Sequence, residues 1–113
     1  MITIEALKGF GADTEEGLAR CMGMEAFYLQ LVGTMLEDAN IAKLDAAVEA
    51  KDAKAAFEAS HALKGALGNL ALTPVCKPVE EITEKLRGQD TMPDIADLYQ
   101  QYKEALEELK ALQ

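Results

Sequence analysis

Apolar side chains recur at intervals of three and four along most of the chain, the spacing that lines one side of an α-helix. From Met24, the run Phe27, Tyr28, Leu31, Val32, Met35 and Leu36, then Leu44, Ala47 and Val48, predicts a long amphipathic helix over residues 24–50, bent near residues 38–41. A polar break at residues 50–52 precedes a second helix over 53–70, with Asp52 placed to cap its first turn. Thr73 as N-cap and Pro74 as first helical residue open a third helix over 74–87, which turns Val75, Val79, Ile82 and Leu86 inward and stops at Gly88. Pro78 lies early enough in that helix to be tolerated. After the loop at 88–93, a fourth helix over 94–112 carries Ile95, Leu98, Tyr102, Leu106 and Leu109 on one face. Residues 1–23 hold four of the eight glycines and read as short helical turns, one capped by Asp13, with Phe10, Leu18 and Met22 closing one end of the bundle. The whole is expected to be all-α, an antiparallel four-helix bundle with short N-terminal helical segments, forming a single domain over 1–113.

Composition narrows the chemistry. Twenty Asp and Glu against eleven Lys and Arg leave a net charge of -9, so counterion release cannot drive binding to nucleic acid. Such a charge favours a soluble monomer. No run of 18 apolar residues is present to cross a membrane, and the first residues lack the basic and apolar regions of a secretory signal. The expected location is therefore the cytoplasm. Cys21 and Cys76 are too few and too far apart for a disulfide framework or a spaced zinc site, and are expected to be reduced and half-buried.

The stretch Ser60-His61-Ala62-Leu63-Lys64-Gly65-Ala66-Leu67-Gly68-Asn69-Leu70 holds the only histidine. On a helical wheel Ala56, Leu63, Leu67 and Leu70 share a sector about 60° wide, which is the core face. His61 falls on the opposite side with Lys54, Glu58, Lys64, Gly65 and Gly68, and is expected to face solvent. Each of those glycines costs the helix roughly 0.5–1 kcal/mol relative to alanine. Their place on the histidine's stripe clears a flat approach to the imidazole. A neutral imidazole is nucleophilic near pH 7 and can accept a phosphoryl group as a labile phosphoramidate. Lys64 can bring an ammonium over the same surface to pair with phosphate oxygens, with Lys54 about two turns earlier in support. Phe57, one turn before His61, is either part of the core or part of an apolar docking patch. Taken alone, each lysine reads first as part of a solvated face.

The block His61-x-Leu63-Lys64-Gly65-x-x-x-Asn69-Leu70, preceded by Leu44, Ala47, Asp52 and Ala59 and followed by Val79-Glu80, resembles the histidine-containing phosphotransfer (HPt) domains of multistep two-component phosphorelays. The resemblance spans roughly residues 27–87. It implies that His61 is phosphorylated, that Lys64 is its positive neighbour, and that Gly65 is the small residue against which a receiver domain docks, with Gly68, Phe57 and Lys54 nearby. It further implies response-regulator receiver domains and a hybrid sensor histidine kinase as partners, with Mg²⁺ supplied by the receiver rather than bound by this chain. No glycine-rich phosphate loop or ATP-site motif is present, so a carrier rather than a kinase is expected. The alternative is an HPt-like structural or adaptor bundle whose histidine stays unmodified. Ala71, where the family often has glycine, and Pro78 depart from the family pattern.

Overall fold

The computed structural model describes residues 1–113 and is entirely helical, with seven helices and no strand. They are α1 (Ile4–Phe10), α2 (Thr14–Arg20), α3 (Glu25–Met35), α4 (Ala39–Ala50), α5 (Ala53–Asn69), α6 (Thr73–Leu86) and α7 (Ala96–Ala111). Consecutive helices from α4 to α7 pack side by side, and α7 closes back on α4 through Asp45. Asp45 accepts from Lys103 Nζ at 3.0 and 3.2 Å and from the Tyr99 hydroxyl. That ion pair is half-exposed and is worth at most about 1 kcal/mol. Apolar burial dominates instead. Leu44, Leu63, Leu67, Val75, Val79, Ile82, Tyr102, Leu106 and Leu109 are fully enclosed, and each fully buried side chain of this size contributes roughly 1.5–3 kcal/mol.

Residues 24–50 form two helices rather than one bent one. Asp38 takes an extended conformation, and its carboxylate accepts from the Asn40 N–H at 2.8 Å, so α4 starts from its own cap. Asp13 and Asp52 cap α2 and α5 through the Glu16 and Ala55 N–H groups, as their positions in the sequence predict. Thr73 is not a cap. The α5–α6 turn is so tight that α6 begins at Thr73 itself, with Leu72 in the cap position, and the Thr73 hydroxyl turns back to the Ala71 carbonyl. Asp94 lies outside α7 and accepts from the Ala96 N–H at 3.2 Å, which moves the helix start two residues later than expected. α6 runs uninterrupted past Pro78, whose missing N–H removes only the i→i−4 bond to the carbonyl of Pro74 in the first turn.

The N-terminal helices dock on the α5–α6 turn. The Asp13 N–H donates to the Ala71 carbonyl at 3.0 Å, and the buried Tyr28 hydroxyl on α3 donates to the Leu70 carbonyl at 2.7 Å. Gly17 is required there, because a Cβ at that position would stand 2.6 Å from the Tyr28 ring. Phe10 and Leu18 pack against the core, as expected of a bundle end. Met22 does not: it is 80% exposed and sits in the left-handed turn that ends α2, so its side chain points away from the bundle. The cysteines are also more enclosed than expected. Both are free and buried, Cys76 because α6 seats it beside Gly68 of α5.

Candidate functional site

α5 is the central strut of the bundle, flanked by α4 on one side and α6 on the other. Its buried face includes Ala53, Ala56, Ala59, Ser60, Leu63 and Leu67 and is wider than the sector drawn from the large apolar residues alone. The small side chains on that face permit close approach by the neighbouring helices. His61 lies outside this face, in the middle of α5, and is exposed. The helix backbone thus fixes the position of the histidine while leaving its ring to solvent.

The ring is held by one neighbour. Phe57 stacks on His61 with ring centroids 5.7 Å apart and planes 13° from parallel. The spacing of four residues puts the two side chains one above the other on the same helix face. Phe57 is itself half-buried and packs on the core, in keeping with the core reading, and it presents a ring face to the imidazole. Gly65, one turn beyond His61, is exposed, and nothing lies within 4 Å of where its Cβ would be. Gly68 behaves differently. It is half-buried, and a Cβ there would lie 3.9 Å from Cys76 Sγ, which places it at the α5–α6 seam rather than on the open surface.

Lys54 is exposed at the start of α5, whereas Lys64 is half-buried. The charge of Lys64 is felt at Glu84 and at Cys76, so it serves the side of α5 that faces α6. Burial, and then a hydrogen bond with Glu80, push the Cys76 thiol up to about 12. That thiol is no nucleophile at neutral pH. No group of three or more His, Cys, Asp and Glu side chains that could hold a metal ion is brought together.

Arg87 is the residue that sequence reasoning left out of the site. Its guanidinium carbon lies 5.3 Å from the centroid of the Phe57 ring, so that one ring adjoins both a cation and the imidazole. Glu84 accepts from Arg87 Nε at 3.3 Å and from Nη2 at 3.1 Å. The guanidinium, aided by Lys64, holds the Glu84 carboxyl below its ordinary range, and Glu84 raises Arg87 in return. A signal for this was available. α5 and α6 are antiparallel about the turn at residues 70–72, and Phe57 and Arg87 lie at nearly equal distances from that turn along the chain.

A family model described as the Hpt domain matches residues 28–112, from the second turn of α3 through α7. The chain belongs to the Hpt domain family. As an Hpt domain it is a histidine phosphotransfer module of phosphorelays, whose partners are response-regulator receiver domains. No curated protein and no solved structure matches it significantly. The family context also gives meaning to Ala71. This alanine follows Asn69-Leu70 where Hpt domains often carry glycine, and its φ of 54° is the left-handed conformation that glycine adopts without cost. The backbone of this Hpt domain thus retains a turn suited to glycine under an alanine side chain. No helix of the Hpt domain is long and apolar enough to cross a membrane.

Proposed function

We propose that His61 accepts a phosphoryl group from the phospho-aspartate of one receiver domain and delivers it to the aspartate of a second. The observation that carries this is the setting of the only histidine: exposed at mid-helix, stacked on an anchored phenyl ring, and adjoining the bare backbone at Gly65. The fixed ring removes orientational freedom before the partner arrives, and the bare backbone lets the partner's phosphorylated loop reach it. An unprotonated imidazole nitrogen attacks phosphorus in line. The N–P bond forms as the P–O bond to the donor aspartate breaks, and its electron pair leaves with that carboxylate. The proton on the other ring nitrogen then passes to water, leaving a neutral phosphoimidazole ring. The return step runs the same bonds in reverse toward the second aspartate.

Lys64 neutralises part of the charge on the incoming phosphoryl oxygens, and Gly65 with Phe57 forms the docking surface, with Gly68 at its inner edge and Lys54 at its far end. The receiver supplies Mg²⁺, since phosphoryl transfer requires little beyond positioning and charge stabilisation. The chain thus acts as a carrier without kinase activity toward ATP. The donor receiver belongs to a hybrid sensor histidine kinase, and the carrier works as a cytoplasmic monomer.

The test is incubation of the purified protein with a phosphorylated receiver domain and Mg²⁺, following acid-labile, base-stable label. Label on the wild type and none on His61→Gln is expected. Equal label on both would remove His61 from the mechanism.

A further inference from the structure

Phosphorylation adds nearly two negative charges to a chain that already carries -9, close to Glu58 on the next turn of the same helix. Lys64 alone offsets half of that addition at most. The cation that shares the Phe57 ring with His61 is Arg87, and in the unmodified protein its donors are committed to Glu84.

We propose that Glu84 stores the Arg87 guanidinium on the Phe57 ring while His61 is unmodified, and that a phosphoryl group on His61 draws that guanidinium off Glu84. The inference rests on His61 being the phosphorylated residue. It makes Glu84 a positioning residue that sets how strongly phosphohistidine is held.

Three features support the exchange. A guanidinium offers its face to an aromatic ring and its edge to oxygens, so Arg87 can keep its contact with Phe57 while its edge donors change partner. The Arg87–Glu84 pair is exposed, with half or more of each side chain open to water, so it is weak and readily exchanged against a dianion. Arg87 also lies at the very end of α6, where Gly88 at φ 72° turns the chain away, and no following helical turn confines its side chain.

The experiment charges the protein with phosphoramidate, which phosphorylates histidine without any receiver, and follows the Arg87 Nε–Hε resonance. Loading is expected to move that resonance in the wild type and leave it in place in His61→Gln. An unmoved resonance in fully loaded wild type would overturn the exchange. A second measurement uses the equilibrium of phosphoryl group between receiver and carrier. Glu84→Gln is expected to shift it about threefold toward His61, the size of effect an exposed ion pair exerts. In an Arg87→Gln background most of that shift should vanish. An equal shift in both backgrounds would mean that Glu84 acts by its own charge, and the storage role would be wrong. If the resonance moves on chemical loading while no receiver transfers to the protein, the phosphorelay role fails and the exchange stands.

Discussion

Phe57 lies under His61 as a nearly parallel plate, 5.7 Å from centroid to centroid, and is itself half-buried against the core of the bundle. An exposed imidazole would otherwise rotate freely about two side-chain bonds. Stacked aromatic pairs are worth about 0.5–1.5 kcal/mol beyond burial, enough to bias the ring toward one orientation. Phe57→Leu keeps the apolar anchor and removes the plate. Transfer to His61 from a phosphorylated receiver should slow by roughly two- to tenfold, while the midpoint of thermal unfolding stays close to wild type. A variant that unfolds early without a slower transfer would make Phe57 a core residue only.

Gly65 sets helix propensity against docking. Its absent Cβ would enter open solvent, so Gly65→Ala should stabilise the protein by about 0.5–1 kcal/mol in urea denaturation. Gly65→Gln fills the approach to His61. Because misplacement by about 1 Å can cost on the order of a hundredfold in rate, transfer should slow tenfold or more. Transfer at the wild-type rate in the Gln variant would mean that the partner does not come close there.

Ala71 holds φ at 54°, where an L side chain is strained by roughly 1–2 kcal/mol. Glycine removes the strain and gives back part of the gain as unfolded-state entropy. Ala71→Gly is therefore expected to raise stability by about 1 kcal/mol and the melting temperature by about 4 °C, read by calorimetry. The carbonyl of Ala71 receives the Asp13 N–H, so the same variant tests whether the N-terminal helices tolerate the relaxed turn.

The Cys76 thiol is pushed from about 9 to about 12, chiefly by burial. Its folded-state value lies above its unfolded one, so the unfolded chain sheds this proton first as pH rises. Stability linked to Cys76 is complete below pH 9 and is lost progressively from about 9 to about 12. Urea midpoints at pH 8 and pH 10 should fall further for the wild type than for Cys76→Ala. Parallel losses in the two proteins would contradict this assignment.

The bundle was legible because its inward positions are large and regularly spaced: Val75, Val79, Ile82 and Leu86 on α6, and Tyr102, Leu106 and Leu109 on α7, are all buried as their periodicity predicts. The exposure of His61 followed from the same wheel. Breaks were harder to read, since the end of α3 depends on the extended backbone at Asp38, and periodicity alone does not distinguish two helices from one bent one. Small residues also misled. Gly68 shares a stripe with His61 on the wheel, but α6 packs close enough to cover it. Arg87 lies 26 positions from His61 and enters the site only through the pairing of α5 with α6.

The central claim is that one side chain carries the phosphoryl group from one receiver to another. The most direct measurement mixes a labelled phospho-receiver, an unlabelled second receiver and Mg²⁺ with either wild-type protein or His61→Gln, and follows label on the second receiver. With the wild type, label should pass through the Hpt domain to the second receiver, and with His61→Gln the second receiver should stay unlabelled. Label reaching the second receiver equally with both proteins, or with neither, would contradict it.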